Sequence, residues 1–153
     1  MKSISDESVV AGLIARLQRL TTASARRWGT MTAAEMLCHL GDANESVLGI
    51  RVPPGPPASG KPRPLLKWFM LYAPMPWPRG VRTRPGVDPK QQGTQPGDFQ
   101  QDRTRAVQSL VELARAPAER LSPHHFMAGP MSRSDWHRWA YKHFDHHLRQ
   151  FGL

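Results

Sequence analysis

The clearest helical pattern in the chain lies between residues 131 and 151. If this segment is a helix that turns about 100° per residue, two tryptophans, two histidines and a glutamine lie on one narrow stripe of its surface: Trp136, Trp139, His143, His147 and Gln150. A stripe that faces a helical core is normally apolar, so two imidazoles in it are unusual. The pattern predicts one long final helix that carries polar chemistry on its inner face.

Three earlier segments also keep a helical spacing of apolar residues. The first lies near residues 5–21, the second begins after Thr32, and the third runs over about 99–115, with Asp98 as a cap. Together with the final helix they predict an all-α protein built on four helices. No internal repeat, glycine-rich phosphate loop, Ser/His/Asp order or Cys-x-x-Cys motif interrupts the pattern.

Two of the helix starts have the spacing of a capping box. Thr32 precedes Glu35 by three residues, and Ser132 precedes Asp135 by three residues. In each pair the first side chain can bond the backbone of the second residue and receive the reverse bond. We therefore read Glu35 as a cap and expect both helices to start at fixed points, which sets the height of every side chain along them.

Residues 51–97 differ from the rest of the chain. They hold twelve of the fifteen prolines and eight basic residues against one acid, so they carry +7 of the net charge of +9. Their apolar centre, residues 65–72, predicts a short helix bounded by Pro64 and Pro74 that docks on the other helices. Two interpretations stay open, a solvated linker with a hydrophobic clip and a basic lid beside a site.

Length and composition indicate the number of domains, the absence of a membrane partner and the cellular compartment. With 153 residues and 39% hydrophobic residues, the chain is most simply one domain over 1–153. It has no apolar run of about 18 residues and no leader of signal-peptide type, so we expect no membrane partner. The single cysteine, Cys38, suits a reducing compartment and indicates a cytoplasmic protein; on its helix it reads as a small buried residue.

The histidines are the candidate metal ligands. His143 and His147 lie four residues apart, so both rings fall on one side of a helix, where one ion can bridge them. Two imidazoles are half of a tetrahedral site, and His39, on a mixed inward face of the second helix, can complete a set of three. The alternative is a partly buried, hydrogen-bonded pair at a helix end.

Other histidines, two aspartates and one glutamine are predicted to flank or support the candidate site, or to lie outside it. His146 lies off the stripe and is expected to flank it, and His124 and His125 are expected at the surface of the last loop. Asp42 and Asp145 are candidates for carboxylates that support a ligand. Gln150, one turn past His147, is placed to orient a ligand or a bound water.

With these residues in hand, the chain resembles the DinB-like superfamily of bacterial four-helix bundles. The matching pieces are residues 28–40, with His39 in Met-Leu-Cys-His-Leu, and the closing His143-x-x-x-His147-x-x-Gln150. They look closest to a branch whose function is unassigned. The resemblance implies a DinB-like four-helix bundle, which this chain would extend by a long proline-rich basic insertion between helices 2 and 3.

The same resemblance implies a divalent metal, zinc or nickel, held by His39, His143 and His147 with one coordination position open. Relatives of this type include thiol-dependent S-transferases and a thiol-dependent isomerase, and dimers are common among them. A metal held by three neutral imidazoles lowers the pKa of bound water to roughly 7 or stabilises a bound thiolate.

The sequence thus predicts a divalent-metal-binding protein that acts on a small molecule. It would be a thiol-dependent S-transferase or a hydrolase that uses metal-activated water, with a low-molecular-weight thiol as a candidate cofactor. The alternatives are a non-catalytic module that binds an anionic partner through residues 51–97, and a dimerisation scaffold. We do not expect nucleic acid to be the partner.

Overall fold

A computed structural model of the protein describes residues 2–52 and 62–153. These residues form five α-helices, two short 3-10 helices and one ladder of two antiparallel strands. The α-helices are α1 (Glu7–Gln18), α2 (Ala33–Val47), α3 (Pro64–Leu71), α4 (Phe99–Arg115) and α5 (Arg133–Gln150). The chain is therefore mostly helical, which confirms the predicted all-α class. Among the described residues no helix is both long and apolar enough to cross a bilayer.

The predicted helix starts are confirmed at α2, α4 and α5. Thr32 and Ser132 each form a complete capping box, the first with Glu35 and the second with Asp135. Asp98 accepts hydrogen bonds from the first-turn amides of α4. The first helix is shorter than the predicted 5–21 because the carboxylate of Asp6 caps it one residue before Glu7, and a tight turn closes it after Gln18.

Four helices share the apolar core. Helix α2 contacts α4 and α5, and α1 contacts the same two helices from another side. The fully buried side chains include Leu13, Leu17, Met36, Leu37, Leu40, Leu110, Leu113, Phe144 and Leu148. Because α2 is buried along most of its length, its polar side chains lie inside the protein and need partners there.

Helix α3 lies in the proline-rich segment and packs on α5. It begins at Pro64, and Leu71 and Ala73 at its end are buried. The hydroxyl of Tyr72 donates to Asp135 of α5 at 2.7 Å, and the ammonium of Lys67 lies 2.7 Å from the same carboxylate. The predicted short helix and its docking are therefore confirmed. The part of the prediction that concerns residues 53–61 lies outside the described residues.

The end of the proline-rich segment is fastened to α2 by a buried carboxylate. Asp42 is completely buried and accepts hydrogen bonds from the backbone amide and the hydroxyl of Thr94, each at 2.7 Å. The guanidinium of Arg105, on α4, donates to Asp42 at 2.6 Å, and that of Arg51 lies 3.4 Å away. Asp42 thus joins α2, α4 and the segment, and it makes no hydrogen bond to a histidine.

The last loop contains a 3-10 turn (Ala118–Arg120) and the ladder of β1 (His124–His125) with β2 (Gly129–Pro130). The expected surface position is wrong for His125, which is 6% exposed. Its Nδ1 accepts from the amides of Met127 and Ala128, and its ring packs near Trp136 and Trp139. Burial lowers the pKa of His125 to about 4, so this ring is a neutral part of the core.

Replacement of Asp42 tests whether this carboxylate fastens the segment. We expect Asp42→Asn to lower the free energy of unfolding by about 3 kcal/mol, because it removes the charge of a completely buried carboxylate and leaves the partly buried guanidinium of Arg105 with one carboxylate fewer. Urea unfolding followed by circular dichroism measures the loss. Glu112→Gln is the matched control, since Glu112 pairs with Arg120 at the surface and such pairs contribute at most about 1 kcal/mol. Equal losses in the two variants would contradict the assignment.

Candidate metal centre

The structure brings His39, His143 and His147 together. His39 comes from α2 and the other two come from adjacent turns of α5. Their ring centroids form a nearly equilateral triangle with sides of 4.8, 4.9 and 4.9 Å. One nitrogen from each ring lies within 4.8 Å of the other two. His39 and His143 are buried and His147 is half-buried, so this triad of imidazoles is largely closed to solvent.

A backbone carbonyl determines the tautomer of His39. Its Nδ1 lies 2.7 Å from the carbonyl oxygen of Val87, in the 3-10 turn Pro85–Val87. A carbonyl oxygen only accepts hydrogen bonds, so Nδ1 of His39 carries the proton and donates it. In the neutral ring the lone pair is then on Nε2, the nitrogen that lies 2.9 Å from Nε2 of His143.

A second carbonyl determines the tautomer of His147, through Gln150. The Gln150 amide nitrogen donates to the carbonyl oxygen of Trp28 at 2.8 Å, which directs the amide oxygen toward Nδ1 of His147 at 3.1 Å. Nδ1 of His147 is therefore the donor, and its Nε2 carries the lone pair. Gln150 is buried, and a Cβ added at Gly29 would collide with its amide nitrogen. Gly29 also has φ +77°, which favours glycine.

His143 differs from the other two imidazoles. Its ring stacks on Trp139, with centroids 4.6 Å apart and planes at 29°. Its Nδ1 is buried and has no hydrogen-bond partner among the described residues. Because Nε2 of His39 carries a lone pair, Nε2 of His143 must either donate a proton to it or share a cation with it.

Burial keeps all three rings neutral. It is the main cause that lowers the pKa of each, and for His143 the neighbouring imidazoles lower the pKa further. The hydrogen bonds from His39 to Val87 and from His147 to Gln150 act in the opposite direction but do not reverse the shift. A neutral imidazole is the form that binds a metal, so the triad needs no deprotonation at neutral pH.

The donor set fits a divalent transition metal. Imidazole nitrogens suit zinc, nickel, copper and iron. Metal–nitrogen bonds of 2.0–2.1 Å in a tetrahedral site place two nitrogens about 3.3 Å apart. The ring nitrogens of His39 and His143 lie 2.9 Å apart, and one nitrogen of each ring lies within 4.8 Å of the others, so this separation falls within their range. An ion held by His39, His143 and His147 would have three protein ligands, the number found at catalytic zinc sites.

The remaining candidates lie outside the triad. His146 flanks it, as expected, with its ring 5.2 Å from that of His147 and 6.0 Å from that of Trp28. Asp145 pairs with Arg16 at 2.8 Å and not with a histidine. Cys38 is buried, which raises its pKa to about 12 and makes its thiol unreactive at neutral pH.

Sequence reasoning missed two groups that touch the triad. The carbonyl of Val87 is a backbone group, so no side-chain pattern marks it, and it is 48 residues from His39. Trp77 lies 6.0 Å from His143, centroid to centroid, and its indole donates to the carbonyl of Met70 at 2.7 Å. Trp77 lies outside the predicted short helix, and its position near the triad depends on contacts distant in sequence.

The close approach of Gly29 to Gln150 can be tested by substitution. We expect Gly29→Ala to lower the free energy of unfolding by about 1 kcal/mol for its left-handed backbone, and further because the new methyl group displaces the Gln150 amide. Gly49→Ala is the matched control, because Gly49 has φ +70° and nothing within 4 Å of an added Cβ. Urea unfolding of both variants measures the difference, and equal losses would contradict the account.

Comparison with known proteins gives one match. The sequence model of the DinB superfamily matches residues 7–151, which include all five helices and the three histidines of the triad. No curated protein and no solved structure matches the chain. A match over nearly the whole chain shows the family and agrees with the mostly helical fold. The chain belongs to the DinB superfamily.

Proposed function

We propose that the protein binds one divalent metal ion through Nε2 of His39, His143 and His147. The observation that carries this proposal is the pair of carbonyl-directed tautomers. The Val87 carbonyl accepts a hydrogen bond from Nδ1–H of His39, and the Gln150 amide oxygen, oriented by the Trp28 carbonyl, accepts one from Nδ1–H of His147. Histidine ligands of metals are usually oriented by such a bond at the other ring nitrogen.

The proposed metal is zinc or nickel, and the proposed role is in a metal-dependent enzyme. When bound, such an ion supplies Lewis acidity at an open position to a thiol or a water. The residues of the chain provide neutral donors, fix the direction of their lone pairs and exclude solvent from the rings. Transfer of a thiol group and hydrolysis of a small molecule are the two reaction classes that this arrangement supports, with a low-molecular-weight thiol as the cofactor of the first.

We further propose that residues 1–153 form one domain in which α1, α2, α4 and α5 make a four-helix bundle of the DinB type. Residues 51–97 would then be an insertion, and its described part, residues 62–97, would cover the site as a lid. Two contacts support the lid: Val87 bonds His39, and the ring of Trp77 lies against His143. Both residues come from the segment, so the described part of it forms one wall of the triad.

The alternative, a module that uses residues 51–97 for an anionic macromolecule, has less support. Three of the basic residues of this segment are engaged within the protein: Arg51 lies beside Asp42, Lys67 beside Asp135 and Lys90 beside Glu35. These pairs reduce the positive charge that the segment offers to a partner.

Elemental analysis tests the proposed ligand set. Protein purified without a histidine tag is expected to hold about one zinc or nickel ion per chain after exposure to that metal, and His143→Ala is expected to lose it. His124→Ala is the matched control, because it removes a histidine of the last loop that lies outside the triad. Circular dichroism shows whether each variant is folded. An unchanged metal content in folded His143→Ala would contradict the assignment.

A further inference from the structure

A cleft of about 920 Å³ lies beside the triad. Its lining comes from the loop before α2, from the chain after α3 and from α5, and includes Trp28, Met75, Trp77, Arg79, Lys142 and His146. Trp77 lines the cleft and is also close to the triad: its ring centroid lies 6.0 Å from that of His143, and 6.1 Å from that of His146, which lines the cleft as well. The volume suits a small molecule.

The charge of the lining is strongly positive. Its five basic residues, Lys2, Arg27, Arg79, Lys142 and Arg149, stand against one acid, Asp145. Asp145 is already paired with Arg16 at 2.8 Å and lies 3.7 Å from Arg149, so its charge is largely neutralised. Within residues 2–52 and 62–153, no carboxylate forms a salt bridge with Arg27, Arg79 or Lys142. A concave surface whose charges are mostly of one sign attracts ligands of the opposite charge.

The cationic groups are positioned beside apolar walls. The guanidinium of Arg79 lies 4.2 Å from the centre of the Trp28 ring, a cation–π arrangement that leaves its edge donors free. The ammonium of Lys142 donates to the carbonyl of Ala73 at 2.8 Å, which holds it at the cleft and uses one of its three donors. Trp28, Trp77 and Met75 supply the apolar surface. The cleft therefore combines free donors for an anion with aromatic walls for a hydrophobic group.

We infer that this cleft binds a small organic anion, a carboxylate or phosphate with an apolar part, and that it is the substrate site of the metal centre. The second half of this inference rests on the proposed function. Arg27, Arg79 and Lys142 bind the charged group, and the apolar part packs on the indoles of Trp28 and Trp77 that line the cleft. Trp77 then lies next to both the bound anion and His143, whose ring centroid is 6.0 Å from its own.

Binding of phenylphosphonate and of neutral benzamide tests the inference directly. Both probes carry a phenyl ring, and they differ in charge. Titration calorimetry at constant ionic strength, supported by tryptophan fluorescence, is expected to show binding of phenylphosphonate and at least about tenfold weaker binding of benzamide. Arg79→Gln and Arg27→Gln are each expected to weaken phenylphosphonate binding by about tenfold.

Arg120→Gln is the matched control, because it removes the same charge from a guanidinium that pairs with Glu112 outside the cleft. An equal loss in Arg120→Gln would show non-specific charge attraction and overturn the inference, as would equal affinity for both probes or no binding of phenylphosphonate. Zinc is measured on the same samples. Anion binding in a protein that takes up no zinc would support anion binding by the cleft but overturn both the metal proposal and the substrate role that rests on it. Zinc uptake without anion binding would overturn the cleft inference alone.

Discussion

The carbonyl oxygens of Val87 and Trp28 determine the tautomers of two imidazoles, the buried His39 and the half-buried His147, and the chemistry of the site depends on them. A carbonyl cannot donate a hydrogen bond, so the Val87 oxygen requires a proton on Nδ1 of His39, and the Trp28 oxygen imposes the same on His147 by orienting Gln150. The lone pair of each ring is then on Nε2, and that of His39 lies 2.9 Å from Nε2 of His143. Without these two carbonyls either ring could present an N–H to the centre, and that ring would then offer no lone pair to a cation there.

The rest of the fold supports this arrangement. The capping boxes at Thr32 and Ser132 set where α2 and α5 begin, and hence the heights at which His39 and the α5 histidines face each other. Asp42 binds Thr94 and Arg105, which fastens the end of the proline-rich segment and brings Val87 to His39. The same segment contributes Trp77 and Arg79 to the neighbouring cleft. The segment thus connects the triad to the surface that we assign to the substrate.

The features that could be predicted from the sequence are those set by residues close together in the chain. The two capping boxes, the Asp98 cap and the proline boundaries of α3 involve residues a few positions apart, and each lies where its pattern indicated. The spacing of His143 and His147 likewise placed both rings on one face of α5. The burial of His125, the Val87 carbonyl and the cationic cleft could not be predicted, because they arise from backbone groups and from segments brought together only by folding. The helical pattern already offered His39 as the third candidate and the family resemblance implied the full set of three, but neither indicated the group that orients His39.

Long-range proton–nitrogen NMR spectra of histidine-labelled protein test the central claim most directly, because they report which ring nitrogen carries the proton. In metal-free protein the account predicts the Nδ1–H tautomer for His39 and His147. On addition of zinc it predicts that the Nε2 signals of His39, His143 and His147 shift together, while those of His124 and His125 stay unchanged. An Nε2–H tautomer at His39 or His147 would contradict the account, as would three Nε2 signals that do not shift when zinc is added.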